Sequence, residues 1–335
     1  MLAAARLAMM VLLAVLALWP LTARAAAATV VPVGRAVGIK LFSDGVVVVG
    51  TTDIVTESGT VNPAKTCGLK EGDIITHINS TEVDTIEEVS ALLQELEGES
   101  MSISAIRDER EVQLTARAVL CSADGEYKLG AWIRDSMAGI GTVTFYCPDT
   151  GAFGALGHGI NDVDTALLMP LESGSILPAS VSGVQKGQAG APGQLKGVFD
   201  TSVTLGELAR NTSCGVFGTV LEEDWLTGRA VETAERCEVK AGKATILSNI
   251  AGDTVQEYEI QILKVYPDSE SDSRDFLIRV TDSRLLEATG GIVQGMSGSP
   301  ILQNGKLVGA VTHVMVDNPT EGYGIWIGNM LEAAS

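Results

Sequence analysis

Aromatic side chains are scarce, with Phe, Trp and Tyr making up 4% of the 335 residues. A chain so poor in large rings fills its core with branched aliphatics, and many Val and Ile together with 37 glycines predict short strands and turns, a mainly β protein. Cations are also few, 23 Lys and Arg against 42 Asp and Glu, for a formal net charge of −19. That balance argues against nucleic acid as a partner, because phosphate backbones reward clustered cations, and it disfavours docking on anionic lipid. Cys67, Cys121, Cys147, Cys214 and Cys237 form no C-x-x-C pair and no Cys/His cluster at metal spacing, so no metal and no cofactor are expected. No period of about 20 to 50 residues repeats, which excludes a solenoid. The one long apolar run, Leu7 to Leu21 broken at Pro20, lies between Arg6 and the small-x-small site Ala23-Arg24-Ala25. Residues 1–28 therefore read as a secretory signal peptide cut after Ala25, or as a retained anchor, with an exported body in either case.

Histidine is rarer still, at three residues, and this narrows the chemistry. The run Gly295-Met296-Ser297-Gly298-Ser299-Pro300 offers a serine in a glycine-flanked turn, with the N–H groups of Gly295 and Ser297 free to form an oxyanion hole. Two apolar strands joined by Asn304-Gly305, a strong hairpin signal, follow it. That order is the layout of a trypsin-like nucleophile. Such a serine needs a base and a group to orient that base. His158, in the turn Gly157-His158-Gly159 at the end of a strand, is the best base. His313 falls on the strand after the Asn304-Gly305 turn and is assigned to the pocket wall or the core, and His77 to a strand surface. Asp162, Asp164, Asp200 and Asp282 compete for the orienting carboxylate. Asp162 and Asp164 sit so close to His158 that capping its turn suits them better, and Asp282 is a plurality choice.

At 335 residues two domains are expected. Residues 29–120 read as a small β domain with one helix, begun at Asp84 with Glu87 three residues on and buried along Ile86, Val89, Leu93 and Leu96. A hairpin around Asp108-Glu109 closes it. Residues 121–335 carry many short strands, a glycine-rich surface loop at Gly183 to Gly197, and an acidic hairpin tip at Pro267 to Asp272.

The first domain resembles a PDZ domain through Gly38-Ile39-Lys40-Leu41 and Gly68-Leu69…Gly72-Asp73-Ile74…Ile78-Asn79. The resemblance implies that Gly38, Ile39, Lys40 and Leu41 offer backbone N–H groups to a peptide carboxylate. The whole chain is similar to the stage IV sporulation protein B peptidases through Asp282-Ser283-Arg284, Thr289-Gly290-Gly291 to Pro300, Ala155-Leu156-Gly157-His158-Gly159 and Val311-Thr312-His313-Val314. This family joins an N-terminal membrane signal, a PDZ domain and a trypsin-like double β-barrel, and its pattern places the triad on His158, Asp282 and Ser297. The resemblance further implies export from the forespore into the space between its two membranes. There the peptidase cuts the regulatory subunit of an intramembrane metalloprotease complex, leading to activation of a late sigma factor. The alternatives are a general extracytoplasmic quality-control protease and a non-catalytic PDZ binding protein on a protease scaffold.

Overall fold

The computed structural model describes residues 28–267 and 273–335. The signal-like segment and the acidic run at 268–272 lie outside the described residues. Among the described residues no helix is long and apolar enough to cross a membrane. The mainly β expectation holds, and the principal elements are numbered here in chain order.

The small domain is built from the second half of β1 (Ala36–Thr51), α1 (Pro63–Cys67), β2 (Ile74–Ile78), α2 (Ile86–Glu95), β3 (Ser100–Arg107) and β4 (Arg110–Arg117). Alternation in β3 turns Met101, Ile103 and Ala105 into a core shared with Val46, Val48, Ile75 and Val89, while Ser100 and Ser102 face solvent. The β3–β4 connection is the expected two-residue hairpin, with Asp108 and Glu109 at φ 49° and 61°. Helix α2 begins one residue later than the sequence suggested. Asp84 is drawn away to accept the Gly45 N–H at 2.8 Å, so Thr85 becomes the N-cap, accepting from Glu88 N while the Glu88 carboxylate takes the Thr85 N–H.

The first barrel closes through β1, β5 (Ala131–Cys147), β6 (Ala152–Ala155), β10 (Gly215–Val220), β9 (Gly206–Thr212) and β7 (Ser173–Gln185), which pairs back on β1. Strand β8 (Gln194–Phe199) hangs on the edge of β7. The second barrel, also closed, runs β11 (Gly242–Ser248), β12 (Gln256–Val265), β13 (Phe276–Val280), β16 (Glu321–Trp326), β15 (Lys306–Val314) and β14 (Pro300–Gln303). Helix α3 (Ser283–Thr289) follows β13, and α4 (Ile327–Ala334) ends the chain against the seam where Phe145, Phe217, Ala310, Ile325 and Met330 are buried. The expected Asn304-Gly305 turn joins β14 to β15 with both residues at positive φ.

The division between domains differs from the expected boundary at residue 120. Ala36–Phe42 of β1 pair with Ser136–Thr142 of β5 inside the first barrel, whereas Val47–Thr51 pair with Ala131–Arg134 inside the small domain. The ladder skips Ser43–Val46 on one strand and Asp135 on the other. The small domain is thus an insertion at the end of a barrel hairpin, because Phe42 and Ser136 are already paired where the chain leaves and re-enters.

Replacing residues 43–135 by an Asn-Gly turn between Phe42 and Ser136 is expected to give a folded two-barrel protein with a cooperative thermal transition. Circular dichroism checks this; a chain without cooperative unfolding would show that the inserted domain is required to close the barrel.

Candidate active site

Strand β6 ends at Ala155, and the chain then turns sharply: Leu156 and Gly157 have φ of 68° and 71°, and Gly157 N bonds Ala155 O at 2.8 Å. A leucine held at positive φ stores strain of about 1 to 3 kcal/mol. The turn delivers His158 to the groove between the barrels. The nucleophile turn arrives from the other side, with Gly295 and Gly298 both at φ 96°. Only glycine fits at 298, where a Cβ would lie 2.0 Å from Thr142 O.

Thr142 of β5 stitches the two turns together. Its N–H donates to Ser297 O at 3.1 Å, its hydroxyl to Gly295 O at 2.7 Å, and its own carbonyl accepts from Leu156 N at 3.1 Å. From the second barrel, Val311 O accepts the Gly298 N–H at 2.8 Å. His158 and Ser297 consequently line one cleft of about 270 Å³, walled by Ile39, Met137, Ile140 and Leu156. The Ser297 hydroxyl donates to Thr312 O at 2.7 Å in this resting arrangement. Among the described residues, neither the Gly295 nor the Ser297 N–H donates within the chain, as an oxyanion hole requires.

The half-buried His158 ring has its Nδ1 2.8 Å from Gly159 O. A carbonyl only accepts, so Nδ1 carries the proton and Nε2 keeps its lone pair. Burial in the apolar cleft pushes the imidazolium pKa below its usual value, with the Gly159 carbonyl opposing. His313 sits beside it, the ring centroids 5.2 Å apart and tilted by 38°. The sequence assigned His313 to the pocket wall or the core, and its contact with the His158 ring was not seen, since adjacency across a barrel leaves no local signal.

Asp282 is not brought to His158. It is the N-cap of α3, accepting from Arg284 N at 2.9 Å, and it also takes the Glu259 N–H at 3.3 Å and pairs with the Arg284 guanidinium at 2.8 Å. Its oxygens are occupied by these donors. The Arg284 hydrogen bond, against the cost of burial, holds its carboxyl at about 2. Asp162 caps the hairpin that follows rather than the His158 turn, accepting from Asp164 N and Thr165 N; Asp164 pairs with Arg134, and Asp200 accepts from Ser202. The orienting group that His158 has in this structure is the Gly159 carbonyl.

The expected peptide loop is also corrected. Gly38, Ile39, Lys40 and Leu41 lie in the barrel part of β1, paired on one edge with Met137–Ile140 and on the other with Gly174–Leu177. Their backbone groups belong to these ladders, and a Cβ at Gly38 would lie 2.6 Å from Phe199. The groove of the small domain is elsewhere, between α2 and the start of β5, about 490 Å³ and lined by Ile86, Val89, Ser90 and Leu93 against Leu129–Ile133. Residues 131–135 have no strand partner on that side among the described residues, and Trp132 is 64% exposed. This open edge suits an added peptide strand. The signal was present in Leu129-Gly130-Ala131, a glycine turn at φ 76° entering a strand. The glycine-rich loop at Gly183 to Gly197 is the β7–β8 hairpin, and its tip is tied by Gly187 N to Thr289 O and by Gly190 N to Val316 O.

A family model described as SpoIVB peptidase S55 matches residues 125–331, and one described as PDZ domain matches residues 54–107. No curated protein matches the chain. Among solved structures, the chain is similar to the active form of the Rv3671c protease from M. tuberculosis, with 17% identity and a TM-score of 0.32, over 60% of this chain and 73% of that one. The inactive form of the Rv3671c protease gives 16%, 0.33, 59% and 85%. The PDZ domain of the SdrC-like protein from Listeria monocytogenes gives 21%, 0.22, 27% and 87%.

With the carboxylate of Asp282 at an N-cap, Asp282→Asn keeps a good cap and is expected to leave turnover within about tenfold of wild type, whereas Asp282→Ala loses about 1 kcal/mol of stability. The depressed pKa makes the carboxylate's stabilisation present above pH ~4 and lost as pH falls toward 2. Turnover and melting temperature of the two variants check this; a fall in turnover near ~10⁴ for Asp282→Asn would return Asp282 to a triad.

Proposed function

The chain belongs to the SpoIVB peptidase S55 family, serine peptidases that here carry a PDZ domain, and we propose that it is an exported endopeptidase working through Ser297 and His158. The observation that carries this reading is the shared cleft lined by His158, Gly295 and Ser297, where the Nδ1 bond leaves the His158 Nε2 lone pair free and the Gly295 and Ser297 N–H groups are unengaged among the described residues. In the reaction Ser297 Oγ leaves the Thr312 carbonyl, gives its proton to His158 Nε2 and attacks the scissile carbonyl. The Gly295 and Ser297 N–H groups take the oxyanion. His158 then protonates the leaving amine, and water repeats the sequence on the acyl-enzyme.

Asp282, counted with His158 and Ser297 in the family pattern, acts in this reading through α3, which leads into the Gly290–Ser297 segment. The Gly159 carbonyl fills the orienting place. The apolar cleft makes the N–H dipoles effective, since little water competes for the developing charge.

The motif resemblance supports a role in endospore formation, with the protein exported into the space between the forespore membranes, cleaved from or held by its N-terminal segment. Its substrate would be the regulatory subunit of an intramembrane metalloprotease complex. The groove between α2 and β5 would take the terminus or an internal segment of a protein there.

A fluorophosphonate is expected to modify wild-type protein at Ser297, located by mass spectrometry, and Ser297→Ala to remove both labelling and cleavage, a loss of ~10⁴ or more. Cleavage of the regulatory subunit in sporulating cells should stop with it. Normal cleavage by Ser297→Ala overturns the assignment. Because burial lowers the His158 pKa, the base stays neutral further into acid, and the acid limb of kcat/KM is expected below pH ~6.5. A limb above that value contradicts the desolvated base.

A further inference from the structure

Arg134 stands on β5 one residue before the point where the strand leaves the PDZ groove for the barrel. Its guanidinium forms ion pairs with Asp162 and with Asp164, the latter at 2.7 Å, both in the hairpin that follows His158. Asp162 has a fully buried side chain, so its charge needs a cation and donors close by.

The hairpin is a compact unit. Asp162 N bonds Leu167 O, Met169 N bonds Ile160 O, and Asn211 clamps its base through Ile160 and Met169. It presses on Gly159 so closely that a Cβ there would lie 2.3 Å from Leu168. Gly159 in turn supplies the carbonyl that His158 Nδ1 bonds. On the other side Asp135, the neighbour of Arg134, accepts the Ile86 N–H at 3.0 Å, at the first turn of the helix that walls the groove.

We propose that Arg134 is a positioning residue of the peptidase, holding the hairpin after His158 so that the Gly159 carbonyl sets the imidazole. The link runs from the groove strand through two carboxylates to one backbone carbonyl. It rests on the reading of His158 and Ser297 as base and nucleophile. The Arg134 guanidinium is engaged by Asp162 and Asp164, so its removal changes the fraction of histidine correctly placed, while the backbone edge at 131–135 is kept.

The test uses the purified chain, measuring fluorophosphonate labelling and the kcat and KM of peptide cleavage. Arg134→Gln is expected to lower kcat and the labelling rate about 10- to 100-fold with KM within about twofold, the cost of a misplaced catalytic group. Arg134→Lys keeps the charge but not the fork that spans both carboxylates, and should recover part of the loss. Asp164→Asn, at the half-exposed partner, should show a smaller loss in the same sense. Unchanged labelling in a folded Arg134→Gln, or a loss carried wholly by KM, overturns the proposal. If Arg134→Gln does not fold, Asp164→Asn decides, and an unchanged kcat there overturns it. A wild type that never labels at Ser297 overturns the peptidase reading instead, and this inference with it.

Discussion

The antiparallel pairing of β1 with β5 is the constraint on which the rest depends. The two strands, Ala36–Thr51 and Ala131–Cys147, pair in both bodies. A domain joined by a flexible linker moves by default. Here the connection is a ladder of backbone hydrogen bonds, interrupted at Ser43–Val46 and Asp135 and bulged at Val49. One backbone therefore passes the groove edge at 131–135, the cleft wall at 137–140 and the seam at Thr142. Met169, buried with Leu41 and Val47 and packed by Ile74 and Met137, fills the angle between the bodies.

The cleft walls are aliphatic, so desolvation favours the neutral histidine, and its tautomer is set by a carbonyl fixed in the main chain. Carboxylates are abundant in the chain, yet the four candidates weighed for the orienting role are each occupied elsewhere or exposed. A carbonyl orients the ring without lending it a full negative charge. In the proposed reaction the imidazolium would then be stabilised less than beside a carboxylate, and the placement of the ring would weigh more heavily.

Much of the fold was legible where the signal is local. Asn304-Gly305 and Asp108-Glu109 specify turns by positive φ, and Met101, Ile103 and Ala105 specify a strand face by alternation. The glycines around Ser297 and His158 marked the two turns that meet in the cleft. What escaped was set by distant partners. Gly38-Ile39-Lys40-Leu41 has the composition of a peptide loop, and only its ladders to 137–140 and 174–177 place it in a barrel. Asp84 has every local feature of an N-cap, and Gly45 takes it away. Asp282 has suitable spacing before Ser297, and Arg284, two residues on, claims its charge. The insertion of the small domain was hidden because β1 reads as one strand in sequence while belonging to two bodies.

Strain and close approach in the cleft converge on one residue. Leu156 holds a strained φ of 68°, Gly298 lies too close to the Thr142 carbonyl for any side chain, and both meet Thr142. This threonine is 1% exposed, and its N–H, carbonyl and hydroxyl are all committed to the two turns. Buried polar groups left unpaired are costly, so each bond reinforces the others: moving the Leu156 turn strands the Thr142 carbonyl, and moving the nucleophile turn strands its N–H and hydroxyl. Thr142 lies on the barrel half of β5, eight residues beyond Arg134 on the same strand. The histidine turn is consequently held at one end by Thr142 and at the other by the hairpin that Arg134 clamps, and both anchors ride on the strand that borders the peptide groove.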